Sequence, residues 1–177
     1  DKIKKIKIGN HGEPTMHPEL PKFIEYARNS EVADTIEVFT NGSKLNPKFN
    51  KELVDAGLQR INISLEGLSS ERYLKVAKAK IVWEEFVANI KDLYEYSRTK
   101  GDLVIYVKVV NNASELNGKT VFSMSDEEKD YFYKTFGNIA DEVYVEKIVP
   151  QWAETQLDKQ NNVEFTGMYD QKTVKYK

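Results

Sequence analysis

The chain has 177 residues, 40% of them hydrophobic and 31% charged, with a formal net charge of −2 and both signs interspersed. This is one domain's length, enough to bury a core, and the charge balance gives no electrostatic case for nucleic acid or an anionic membrane surface. No apolar run approaches a membrane span, the first residues make no secretory signal, and the absence of cysteine excludes disulfides and thiolate metal sites within the chain.

The default compartment is therefore cytoplasmic. Asn-x-Ser triplets at Asn41, Asn62 and Asn112 read as chance, since two fall at or in predicted strands and no export signal accompanies them. Asp1 leads directly into a strand pattern without an initiator methionine, so the protein is expected to extend upstream.

In chain order, Ile3, Ile6 and Ile8 mark a short strand that ends in the turn Gly9-Asn10-His11-Gly12-Glu13-Pro14. Pro18 opens a helix whose apolar stripe is Leu20, Phe23, Ile24 and Ala27. Thr35 to Phe39 reads as a strand stopped by Thr40-Asn41-Gly42. Asn46-Pro47 is an N-cap with proline at the first helical position, and Gly57 ends the helix that follows. Arg60 to Glu66 is the third strand, and Glu71 to Lys78 a short helical segment. A long helix then carries Trp83, Phe86, Val87, Ile90, Leu93 and Tyr94 on one face and stops at Gly101; its aromatic set reads as packing. Leu103 to Val110 is the most β-branched run. Ser125-Asp126-Glu127-Glu128 is a capping box opening a helix with Tyr131, Phe132 and Phe136, and Val143 to Val149 is the fifth strand. Trp152 follows it, and from Gln156 the sequence is polar and aperiodic.

Strands alternating with helices at this spacing imply βαβ units and a parallel sheet. Five strands are too few for a closed eight-fold barrel, which takes about 250 residues. The fold class is α/β: a partial barrel, an open sheet or a piece of something larger.

Side chains alternate along a strand. Ile61, Ile63 and Leu65 oppose Asn62, Ser64 and Glu66; Ile105, Val107 and Val109 oppose Tyr106 and Lys108; Ile36 and Val38 oppose Glu37. A strand covered on both sides is apolar on both. Either the polar face is exposed because its cover is missing, or it lines a curved sheet around a ligand. Recurrence of both charge signs, Glu66 and Lys108, favours the second reading and a polar, zwitterionic ligand such as an amino acid or nucleoside. Glu37 fits a buried polar group and a solvated strand residue equally well. His11 and His17 read as structural, with no second ligand at metal spacing.

The ordered set Gly12-Glu13-Pro14, His17-Pro18-Glu19-Leu20, Thr40-Asn41-Gly42 and Ile63-Ser64-Leu65-Glu66-Gly67 resembles the core of a radical S-adenosylmethionine (SAM) domain from about Lys2 to Pro150. It is closest to members with a C-terminal cysteine-rich auxiliary-cluster domain, the SPASM type. There are two departures: Glu66 stands for the family's Asp, and His11 for the first glycine of the common Gly-Gly-Glu-Pro. The resemblance implies a partial (β/α)6 TIM-like barrel fragment over residues 1–155, with 156–177 an extension or linker. The visible strands would be the second to sixth, and the strand and loop bearing Cys-x3-Cys-x2-Cys would precede Asp1. It implies SAM and a 4Fe-4S cluster as cofactors, one-electron cleavage of SAM to a 5′-deoxyadenosyl radical, and hydrogen abstraction from a small-molecule or peptide substrate. The intact enzyme would use a reductant protein.

By the same resemblance, Gly12 and Glu13 accept hydrogen bonds from the SAM ammonium and Pro14 fixes their turn. Thr40 and Asn41 end the next strand near the site, Ser64 and Glu66 point inward with the carboxylate suited to the ribose hydroxyls, and Lys108 pairs with the SAM carboxylate. Without cysteine, catalysis is beyond the isolated chain. Two alternatives remain from the residues themselves: a cysteine-free binding module on the same fold, and an unrelated (β/α) barrel enzyme such as an aldolase using Lys108 as a Schiff base.

Overall fold

The computed structural model describes residues 2–9, 11–111, 115–116, 119–120 and 124–147. Expectations for residues 148–149, Trp152 and the extension 156–177 fall outside the described residues. Five parallel strands, β1 (Ile3–Ile8), β2 (Ala33–Thr40), β3 (Arg60–Leu65), β4 (Val104–Asn111) and β7 (Glu142–Lys147), form one sheet in the order β1-β2-β3-β4-β7. A two-stranded antiparallel pair, β5 (Glu115–Leu116) and β6 (Lys119–Thr120), stands apart from it. Each strand of the main sheet lies beside its predecessor in the sheet. A doubly wound sheet would reverse direction and carry helices on both faces; sequential order winds them onto one side.

The burial pattern agrees. Ile36, Val38, Ile61, Ile63, Leu65, Ile105, Val107, Val109, Val143 and Val145 form one core with residues of α1 (Leu20–Asn29), α2 (Pro47–Asp55), α3 (Ser70–Val76), α4 (Trp83–Lys100) and α5 (Asp126–Phe136). Trp83 and Phe86 stack at 5.5 Å within this layer, and the Trp83 indole donates to the Tyr131 hydroxyl at 2.7 Å. The predicted two-sidedness of the strands is thus present, with the helices covering the apolar side. The polar side is the inner face of the sheet.

Helix boundaries follow local chemistry. The Asn46 side chain accepts from the Phe49 amide, and Gly57 sits at φ +83 just past α2. The Ser125–Glu128 capping box is complete in both directions. The first helix begins later than the sequence reading placed it. Pro14–Met16 make a single 3-10 turn, Pro18 lies in the link, and α1 starts at Leu20 with Pro21 in its first turn. A proline at residue 18 serves a turn as readily as a helix start, because both need the same φ. Among the described residues no helix is long and apolar enough to cross a membrane.

Candidate functional site

The site is built at the carboxyl-terminal end of the strands, where the loop after β1 folds over the end of β2. Gly9 allows it: a Cβ there would lie 2.6 Å from the Phe39 carbonyl oxygen. Gly12 has φ +78, a conformation glycine adopts without cost. Glu13 then turns back on its own segment. Its Oε1 accepts from the Thr15 amide at 2.9 Å, the Thr15 hydroxyl at 2.5 Å and the Thr40 hydroxyl at 2.7 Å; its Oε2 accepts from the Asn41 amide at 2.6 Å. A carboxylate has about four lone-pair sites. Three of its four donors share Oε1 and one reaches Oε2, so Glu13 ties β1 to β2 and keeps one accepting direction, on Oε2.

Asn41 is fixed from three sides. Besides its amide bond to Glu13, its Oδ1 accepts from the Ser43 amide at 2.9 Å and its carbonyl accepts from the Tyr73 hydroxyl at 3.0 Å. Thr40 is buried, and its hydroxyl also accepts from the Gly42 amide at 3.0 Å. By strand parity its side chain belongs to the helix-covered face, so Thr40 supports Glu13 from behind. Tyr73, fully buried on α3, has its phenol pushed well above the ordinary range by burial and stays a neutral donor. Tyr73 was not anticipated; an aromatic in a seven-residue helix looks like any core residue in sequence.

Glu66 follows β3. Among the described residues no hydrogen-bond donor reaches its carboxylate. Burial raises its pKa, and the nearby charge of Glu13 raises it further. Ser64, two residues earlier on the inner face, is half-buried and its hydroxyl likewise has no partner among the described residues. Register sets Ser64 beside Lys108 of β4, and Lys108 beside Tyr144 of β7. Lys108 is not idle: its ammonium donates to Glu146 Oε2 at 2.8 Å, while the Tyr106 hydroxyl donates to Glu146 Oε1 at 2.7 Å.

The structure thus joins Glu13, Thr40 and Asn41 by hydrogen bonds, couples Glu66 to Glu13 by charge, and sets Ser64 next to Lys108. It also gives Lys108 a partner, Glu146, that sequence reasoning did not name. Glu146 was reachable: the alternation Glu142, Val143, Tyr144, Val145, Glu146 repeats the two-faced pattern of the other strands. His11 is exposed, and His17 Nδ1 accepts from the Glu19 amide at 3.2 Å with its ring against Phe23 at 5.2 Å.

Farther down the inner face, Glu37 is buried and accepts from Lys5 at 2.7 Å. Arg60 approaches Glu37 at 3.8 Å, forks onto Glu142 at 3.0 and 2.9 Å, donates to Asn62 at 3.2 Å and lies 5.3 Å over the Tyr106 ring. Glu37 is therefore a buried, paired group away from the carboxyl-terminal strand ends.

A singly wound parallel sheet with helices on one side, and a carboxylate-bearing turn at its strand ends, is the arrangement of a partial β/α barrel. Comparison supplies the family. The model of the Radical SAM superfamily matches residues 3–121, and the chain belongs to that superfamily. Its backbone superposes on coproporphyrinogen III oxidase HemN of Escherichia coli, a radical SAM enzyme, with TM-score 0.58 at 12% identity, covering 84% of this chain and 32% of that one. SuiB of Streptococcus suis bound to S-adenosylmethionine gives 0.55 at 13% identity over 89% and 32%. The fold is thus the partial barrel of this superfamily, and the unrelated-barrel reading falls away. In sequence, the chain is similar to a probable GTP 3′,8-cyclase of Methanococcus maripaludis (42% identical over 74 residues, 42% of this chain and 24% of that protein). A GTP 3′,8-cyclase of Helicobacter pylori is 45% identical over 78 residues, 43% of this chain and 23% of that protein. The matches therefore span about a quarter of these relatives' length.

Proposed function

We propose that this chain is the SAM-binding part of a radical SAM enzyme whose cluster ligands lie outside it. The observation that carries the reading is Glu66, a half-buried carboxylate with no hydrogen-bond donor among the described residues, close enough to Glu13 to feel its charge, while Glu13 Oε2 accepts a single hydrogen bond. A buried charge is expensive unless it is hydrogen-bonded. SAM supplies the missing donors. Two ribose hydroxyls suit Glu66, with Ser64 beside it, and the ammonium suits Glu13 Oε2 and the Gly12 carbonyl. Pro14 fixes the turn that presents these groups, and Thr15, Thr40 and Asn41 lock the Glu13 rotamer. Lys108 has two further N–H groups besides the one on Glu146, and these can meet a carboxylate.

The residues present do not fit a 4Fe-4S cluster. The chain has no cysteine, and among the described residues no group of three His, Cys, Asp or Glu could hold a metal ion. In the whole enzyme, SAM and the cluster together supply a hydrogen-abstracting radical, with electrons from a reductant protein. This chain contributes binding, orientation and shielding.

The test is reductive cleavage by the full-length protein, reconstituted anaerobically with iron and sulfide and given SAM and dithionite. Formation of 5′-deoxyadenosine is the expected result. Absence of both cleavage and SAM binding would leave the non-catalytic binding module. The names of the relatives raise a second, competing reading in which the substrate is GTP. Conversion of GTP by the same preparation tests it.

A further inference from the structure

This inference rests on reading the carboxyl-terminal end of the inner face as a ligand site, and it concerns the β4–β7 half of that end. There Lys108 and Glu146 form an ion pair at 2.8 Å whose side chains are only 22% and 16% exposed. Tyr106 holds the other oxygen of Glu146, and Tyr144 packs against Tyr106 with ring centroids 5.1 Å apart. Ser64 borders the pair across β3.

The remaining charges of the inner face are accounted for elsewhere. Lys5, Glu37, Arg60 and Glu142 are bonded among themselves at the opposite end of the strands. Lys7 lies on edge strand β1 with its ammonium over the Phe39 ring at 5.8 Å. In the β4–β7 half of the ligand end, among the described residues, Lys108 is thus the inner-face cation, and it is paired with Glu146. The carboxylates Glu66, after β3, and Glu13, after β1, stand at the same end.

That balance is selective. A polyphosphate entering here meets like charge. Lys108 can offer it two N–H groups, but the ammonium is already neutralised by Glu146 at 2.8 Å, so a multiply charged anion finds no net positive charge there. A ligand amine does the opposite, since Glu146 accepts one bond on each oxygen and retains lone pairs for its protons. We propose that Glu146 is the charge-selecting residue of the substrate subsite, closing it to nucleoside polyphosphates and admitting a neutral or amine-bearing substrate.

The test is equilibrium dialysis of the full-length protein against GTP and against inorganic tripolyphosphate. The wild type is expected to show no saturable binding up to about 1 mM. Glu146→Gln should bind tripolyphosphate at least about tenfold more tightly. Adding Lys108→Met should cancel that gain, and Glu146→Asp, which keeps the charge, should exclude tripolyphosphate as the wild type does. Saturable wild-type binding of GTP below about 1 mM overturns the proposal without any variant. So does a Glu146→Gln protein with an unaltered thermal midpoint and no gain. Labelled SAM is measured on the wild type alongside: failure to bind SAM sinks the broader reading, whereas SAM binding together with GTP binding sinks only this one.

Discussion

The two ends of the inner face are chemically unlike. At the amino-terminal end, Lys5, Glu37, Arg60 and Glu142 satisfy one another across β1, β2, β3 and β7. At the carboxyl-terminal end, Glu66 and Ser64 receive no side-chain hydrogen bond from the described residues, while Glu13 is bonded nearly to capacity. Charges that a fold can pair internally serve the fold. A carboxylate held half-buried without a donor weakens the fold, and its presence is explained by a ligand that brings the donor.

The largest effect expected from this contrast is at the paired end. Arg60→Leu removes the two-bond fork onto Glu142 and leaves buried Glu37, 4% exposed, to lean on Lys5, and should lower stability by about 2–3 kcal/mol in urea unfolding. Next comes Thr40→Val. It removes one donor to Glu13 and the acceptor of the Gly42 amide, at about 1–2 kcal/mol, and should also weaken SAM binding several-fold by loosening Glu13.

Glu66→Gln should act with opposite signs on folding and on binding. The folded pKa of Glu66 lies above its unfolded value, so the folded state holds that proton more tightly. Stability from this group is therefore present below the ordinary carboxylate pKa and is lost as pH rises through the raised folded value. The Gln variant should flatten that loss and raise the thermal midpoint at neutral pH by about 1–3 °C, kept small because the group is partly solvated. The smallest expected change is from Ser64→Ala, within about 0.5 kcal/mol of wild-type stability because no internal bond is lost. An Arg60→Leu protein as stable as wild type, or a Ser64→Ala protein strongly destabilised, would reverse the assignment of the two ends.

Local chemistry made most of the framework readable. The alternation of Ile61, Ile63 and Leu65 with Asn62, Ser64 and Glu66 foretold the two faces. Asn46-Pro47 and Ser125–Glu128 foretold two helix starts, and both caps are formed. The ordered turns after β1, β2 and β3 foretold the family that comparison supports. Sequence could not show which charges meet. Arg60 and Glu142 are 82 residues apart, and only the β3–β4–β7 register brings them together. The same holds for Lys108 and Glu146, 38 residues apart. The support of Glu13 by Thr15 and Thr40 was hidden because short hydroxyl residues at strand ends look alike whether or not they face a carboxylate.

The central claim is tested most directly by the dissociation constant of labelled SAM for the full-length, reconstituted protein and its Glu66→Gln variant. The account predicts about a tenfold weaker affinity in the variant, together with its higher thermal midpoint. Equal affinities in the two proteins would contradict it.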